Sequence, residues 1–408
     1  MELRYGTADE NVRKRSIRDV ILQERQKTEG TALSKASNLS INGQVDPYAD
    51  QLSGKRQAPG RKKDVRVSME VSLLCPSRAG EMVVVNAVNQ LAEEGIRAEI
   101  FSPAIMLPPG TQESVLREMM HQICRTAFEL GIGIGQVHAE VTQAVVQPAV
   151  VGTAAGTRFC EEILCTESGK QENLFLKKER QNPENGITSG KEEKYFQNKK
   201  RPGQDIVLAG PVGLEGSCIL VSERAGMLQE KFPLSILARM DLPAKELCVL
   251  ELAESLFPVM EADIDSKTIE TIKTGNRTKG PIQDSIRPAA MVSLGDGGFF
   301  TGLWRLAEKT GCGIEVDLQA VPVLQETIEI TNELGINPYA MRSAGSLLIA
   351  AQDGKKLAEQ LAEKGKTAVR IGKLTAGRDR ILRNREEVRY LDRPQTDALA
   401  QWLRDHPG

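Results

Sequence analysis

Two long stretches that no hydrophobic core could absorb divide this chain. Residues 27–63 and 158–204 are dominated by Ser, Gly, Asn, Gln, Glu and Lys and carry little apolar periodicity. They read as a loop or disordered segment and an inserted linker. Three blocks remain: a charged, mildly amphipathic opening helix in 1–26, a compact block over 64–157, and a larger one over 205–405. A chain of 408 residues exceeds one ordinary core, so the two larger blocks are expected to be separate domains.

Within the first block the apolar period changes from element to element. Val65, Val67, Met69, Val71 and Leu73 recur every second residue, which predicts a strand. Met82, Val83, Val85, Val88, Leu91 and Ala92 form a helical stripe that Gly95 stops. A strand over Arg97–Leu107 follows, then a helix with Thr111 as N-cap running to Gly131. Two further strands are expected over 132–140 and 144–154. This order gives an α+β layer, helices on one face of a mixed sheet. The second block alternates in the α/β manner. A strand at 205–208 and a Gly210–Gly213 turn lead to a helix near Leu214. A strand-like run, Ala289–Leu294, is followed by a helix through Phe299, Leu303 and Leu306 that Gly311 closes. Strands at 313–318, 346–350, 367–374 and 381–391 and helices at 323–334, 354–364 and 395–403 complete the domain.

Composition removes several function classes. Formal charge is −2 with acids and bases interspersed, so no one-sided basic surface for nucleic acid is expected. The basic run 194–201 lies among glutamates and reads as solvated loop. No apolar stretch reaches the roughly 20 residues that a bilayer requires, and the opening residues lack the apolar core of a secretory signal. The expectation is a cytoplasmic protein without a membrane or nucleic-acid partner. Seven scattered cysteines in mostly apolar surroundings read as reduced, buried thiols. Three histidines and the isolated Cys160/Cys165 pair give no zinc pattern.

Three motifs could carry chemistry. Gly295-Asp296-Gly297-Gly298 lies between a strand and a helix. Glycines there allow close backbone approach, and a helix N-terminus offers free N–H groups to a phosphate. A structural turn explains the same residues. In Gly135–Glu140, His138 and Glu140 project to one side of a strand, suited to a phosphate or metal-bound water, or simply to a surface strand end. Gly210–Gly216 has no following Gly-Lys-Ser/Thr, so it is a turn and not a Walker loop.

Gly295–Leu318, together with Pro202–Leu220, Gln325–Ala350, Ala368–Asp379, Leu107–Gly131, His138–Thr142 and Glu10–Ile21, resembles the aminoimidazole-ribonucleotide-synthase (PurM-like) superfamily. The similarity is strongest to its hydrogenase-maturation-factor-like (HypE-like) branch, akin to the carbamoyl dehydratase that makes cyanide ligands. The resemblance implies a two-domain protomer and a homodimer formed through the first domain. It also implies ATP between the domains, with acidic residues holding magnesium while an amide-type or other oxygen nucleophile is phosphorylated.

The chain departs from that pattern where the chemistry would lie. Residues 28–63 lack the Gly-Glu-Asp segment. Ser68-Met69-Glu70-Val71 stands for Ser-Thr-Asp-Pro, and Asn89-Gln90 for Asn-Asp. Val292–Gly298 (VSLGDGG) stands for His-Asp-Val-Thr-Glu-Gly-Gly. The ending Asp405-His406-Pro407-Gly408 lacks the cysteine of the carbamoyl dehydratase. The expectation is a protein with a degenerate ATP/magnesium site acting as a binding or partner subunit. The alternative is an active enzyme with a rearranged site. For that site Gly295, Asp296, Gly297, Gly298 and Asn89 are the nucleotide-binding candidates, Glu70 and Asp296 the metal ligands, and Asp296, His138 and Glu140 the catalytic groups.

Overall fold

The structure, a computed structural model, describes residues 3, 6–7, 10–29, 65–72, 75–159, 202–257 and 288–407. Nearly all of the two polar stretches, with Cys160 and Cys165, lies outside the described residues.

The first domain opens with strand β1 (Gly6–Thr7) and helix α1 (Glu10–Arg13), which passes through a π-helical turn (Lys14–Arg18) into α2 (Asp19–Glu29). That turn directs Arg15 and Ser16 at one carboxylate. Glu113 accepts from Arg15 Nε and Nη2 at 3.1 and 2.9 Å and from Ser16 Oγ at 2.7 Å. Next come β2 (Arg66–Ser72), α3 (Ala79–Ala92), β3 (Ile96–Leu107) and α4 (Glu113–Glu129), then β4 (Gly133–Ile134), β5 (His138–Val141) and β6 (Ala149–Arg158). The sheet order is β1-β5-β3-β6-β2, with β4 beside β3. The run expected as one strand over 132–140 is thus two short ones, and the next strand starts five residues later than its apolar run. Thr111 is not the N-cap of α4. Gln112 holds that position, and the Thr111 hydroxyl donates to the Pro108 carbonyl at 2.6 Å.

Helices cover one face of this sheet, around Val83, Val84, Phe101, Ile105, Leu116 and Ile123. Strand β2 turns its apolar side away from them. Ser68 and Ser72 are buried against the helices, Ser68 Oγ donating to the Ala87 carbonyl at 2.7 Å. Val65, Val67, Met69 and Val71 are 57, 62, 64 and 45% exposed.

The second domain is a seven-stranded sheet in the order β13-β12-β9-β11-β7-β10-β8. Its strands are β7 (Asp205–Ala209), β8 (Ala290–Ser293), β9 (Gly313–Asp317), β10 (Leu347–Ala351), β11 (Ala368–Thr375), β12 (Arg380–Asn384) and β13 (Glu387–Tyr390). The single strand expected over 381–391 is a hairpin, turning at Arg385 with a positive φ of 56°. Helices α5 (Leu214–Glu223), α6 (Ala225–Gln229), α7 (Leu234–Met240) and α8 (Leu250–Ser255) follow β7. The last three escaped the sequence reading because each is at most two turns, too short for a helical apolar period to show. Helix α9 (Gly298–Thr310) follows β8, and α10 (Gln325–Leu334), α11 (Gly354–Glu363) and α12 (Ala398–Asp405) come later.

Strands β7, β10 and β8 are buried on both faces, which is why they read as unbroken apolar runs. Ile206, Leu208, Val292 and Leu348 pack with α9. Val207, Met291, Leu347 and Ile349 continue into the core of the first domain. Polar braces reinforce that join: Glu93 accepts from both the N–H and the hydroxyl of Ser293 at 2.7 Å, and from Arg305.

Candidate functional site

The glycine turn begins where β8 leaves the sheet. Gly297 and Gly298 have φ of 71° and 61°, and Gly297 is the N-cap of α9. A Cβ on Gly298 would come within 2.2 Å of the Met341 carbonyl oxygen. The glycines are therefore required first by the turn and by the approach of the 341 segment. Asp296 projects outward, its side chain 73% exposed, 3.3 Å from Arg342 Nη1. The Gly297 N–H donates to Asp397 Oδ2 at 2.7 Å. Asp397 is the N-cap of α12, its Oδ1 accepting from the Leu399 and Ala400 N–H groups. Burial pushes the Asp397 carboxyl up to about 6, against the opposing pull of the Gly297 N–H and Arg342.

Arg342 organises the floor of the cleft. Its Nε donates to Glu215 Oε1 at 2.9 Å, and Glu215 is fully buried. The same carboxylate accepts from Asn86 Nδ2 and from the Ala344 N–H, both at 3.1 Å. Burial opposes the charge on Arg342, but Glu215 more than offsets it and holds the guanidinium protonated. Glu70, on β2, comes from the first domain and accepts from Gln90 Nε2. Burial raises its pKa, Arg342 opposes that, and Glu215 and Asp296 add to it. Together Glu70, Glu215, Asp296, Arg342 and Asp397 line an interdomain cleft of about 490 Å³.

Two of the sequence candidates therefore meet across one cleft, Glu70 and Asp296, beside the glycine turn. Asn89 does not join them. Its Nδ2 donates to the Leu247 carbonyl at 2.9 Å and its Oδ1 accepts from the Val249 N–H at 2.8 Å, so the amide is spent on bracing the domains. His138 and Glu140 contact each other at 3.4 Å and are about half exposed. They lie on β5, three strands from Glu70, on the order of 14 Å across the sheet. Within one protomer they share no site with Asp296. Among the described residues no group of three His, Cys, Asp or Glu side chains is arranged to hold a metal ion. Cys75, which also borders the cleft, donates to Glu223 at 3.2 Å and is pushed up to about 12 by burial, so it is a thiol and not a nucleophile. No described cysteine is disulfide-bonded.

Residues 281–383 match the family model "AIR synthase related protein, C-terminal domain". The curated carbamoyl dehydratase HypE of Rhodobacter capsulatus is 24% identical over 279 residues, 68% of this chain. Residues 281–383 are thus similar to that C-terminal domain, within a chain of two-domain α+β fold. The match spans 63% of that relative, less than two thirds of its length. The crystal structure of E. coli HypE, a hydrogenase maturation protein, superposes with a TM-score of 0.58 at 16% identity, covering 95% of this chain and all of that one. HypE in complex with ATP gives 0.57 at 16% identity, covering 89% and 94%. A HypE–HypF complex gives 0.54 at 15%, covering 81% and 90%. Among the described residues, no helix is long and apolar enough to cross a membrane.

Proposed function

We propose that this chain is a hydrogenase-maturation-factor-like protein whose cleft has lost the acidic set that holds magnesium and ATP. It works as a binding or partner subunit in the cytoplasm. The observation that carries this reading is the bond from the Gly297 N–H to Asp397: an internal carboxylate fills the position offered to a phosphate. The rest of the cleft supports it. Magnesium on a nucleotide takes one or two carboxylates alongside phosphate oxygens and water. Asp296 is paired with Arg342, and Glu70 accepts from the Gln90 amide and has its pKa raised by burial. Where the resemblance implies a helix carboxylate, Gln90 offers an amide. This donor set does not fit magnesium.

The partner is first a second copy of this chain, on the exposed apolar side of β2. Val65, Val67, Met69 and Val71 there form an edge-strand surface of the kind that proteins normally cover. A further protein partner is consistent with a HypE neighbour having been solved with HypF. Isothermal titration of ATP with magnesium tests the reading. Affinity in the micromolar range that disappears without magnesium would reject it.

A second reading keeps one specific observation in its favour: Glu70 and Asp296, from different domains, line a single cleft. An active ATP-dependent enzyme would phosphorylate an amide-type or other oxygen nucleophile there. Asp296→Asn would then abolish nucleotide turnover; turnover that survives it excludes Asp296 from that role.

A further inference from the structure

Strand β7 ends where β10 and β11 begin: Ala209 pairs with Leu347 on one side and with Ala368 on the other. The connections at Gly210-Pro211, Gly345 and 365–367 therefore gather at one end of the second sheet. The 242–252 segment packs beside them. A Cβ on Gly345, whose φ is 98°, would stand 3.1 Å from the Glu246 carbonyl oxygen. Between these segments and Leu130, at the end of α4 in the first domain, lies a separate cavity of about 360 Å³. Among the described residues it shares no lining side chain with the cleft that holds Glu70 and Asp296.

Its wall is apolar and its mouth is charged. Leu130, Leu214, Val249 and Leu252 are buried, and Leu242 and Leu324 are partly so. Lys245 and Lys366, 48 and 42% exposed, converge on one carboxylate: their Nζ atoms stand 3.3 Å from Glu251 Oε1 and 3.7 Å from Glu251 Oε2. Both contacts are looser than a full charge-assisted bond of about 2.7–2.9 Å. An ammonium carries three donors, so each lysine keeps donors that Glu251 does not use. An apolar cavity of this size with a few convergent polar groups, at a junction of domains, is the usual form of a small-molecule site.

We propose that this cavity binds a small carboxylic acid, its apolar body against the leucines and its carboxylate between Lys245 and Lys366. Glu246 lines the cavity as well, so the four charged side chains cancel. A single negative charge meets two adjacent ammonium groups there, whereas the second charge of a phosphate would be set against Glu246 and Glu251. The site is independent of the function proposed above, since neither nucleotide nor magnesium takes part in it.

The test is titration calorimetry of hexanoate, with acetate and hexanamide for comparison, into the unaltered chain, Lys366→Ala, Lys366→Arg and Leu324→Trp. Hexanoate is expected to bind the unaltered chain at least about tenfold more tightly than acetate, which lacks the body, and than hexanamide, which lacks the charge. Lys366→Ala should weaken hexanoate about fivefold, and Lys366→Arg should keep it near the unaltered affinity. Leu324→Trp narrows the cavity and should weaken hexanoate as well. Equal affinity for hexanoate and either comparison compound overturns the proposal, as does absence of hexanoate binding. A Lys366→Ala protein that binds hexanoate like the unaltered chain overturns it too. If Leu324→Trp does not fold, the two changes at the half-exposed Lys366 decide. Magnesium-dependent ATP binding would reject the function proposed above and leave these titrations standing.

Discussion

Replacing Glu215 by alanine should be among the most damaging single changes in the chain. The carboxylate is fully buried and accepts from Arg342, Asn86 and the Ala344 N–H. Removing one partner of a buried ion pair costs about 3–5 kcal/mol, since the other charge is left uncompensated. Two neutral donors also lose their acceptor, each worth about 1 kcal/mol. These terms overlap, because Arg342 still reaches Asp296 at 3.3 Å. A net loss of about 4–5 kcal/mol is expected, a large share of the roughly 5–15 kcal/mol that folds a domain. Urea unfolding followed by circular dichroism reads this as a lower midpoint at similar slope. Glu215→Gln keeps an acceptor for the neutral donors and should lose about half as much. The paired change Glu215→Leu with Arg342→Met removes both charges and should be milder than either alone. A loss under about 1 kcal/mol for Glu215→Ala, or a double variant worse than both singles, would refute the idea that this pair organises the cleft.

Met69→Lys on the exposed side of β2 should convert a dimer into a monomer in sedimentation velocity with little change in unfolding of the protomer; an unchanged sedimentation coefficient counts against that surface. The Asp397 carboxyl rises from 3.8 to about 6 on folding. The folded state therefore holds a proton that the unfolded chain releases, and stability falls as pH rises through that window. Asp397→Asn should flatten that slope in chemical unfolding between pH 4 and 6. Glu93→Ala strips the Ser293 N–H and hydroxyl and Arg305 of their shared acceptor; it should cost about 3 kcal/mol and speed amide exchange around 290–293. Cys75 should resist iodoacetamide at pH 8 in the folded chain, since burial and Glu223 keep it protonated.

Local pattern carried the elements of this fold a long way. The alternation at 65–73, the stripe through Val83 and Val88, and the glycine before Phe299 each depend on neighbours within a few residues, which is the range over which periodicity speaks. The side of β2 that faces the helices ran against its pattern: alternation marks Val65, Val67, Met69 and Val71 as the core face, whereas Ser68 and Ser72 are the buried residues. The site was also read only in part. The glycine turn and Glu70 stood out, but Asp397 is 100 residues from the N–H that it accepts from, and Arg342 is 127 residues from Glu215. No local rule pairs such residues. A partial signal was present: an Asp directly before Ala398-Leu399 is a helix N-cap, although the helix was expected to begin at Gln395. Asn89 was singled out as an amide beside a lost carboxylate, and tertiary contact with the 247–249 backbone gave it a different task.

The inner face of the second sheet, where Val207, Met291, Leu347 and Ile349 run on into the core of the first domain, makes the two halves inseverable. Either half expressed alone would expose the side chains that the other covers, so neither is expected to persist as a folded fragment. The chain should melt in one calorimetric transition, and it could be inherited, recombined or transplanted only as a whole.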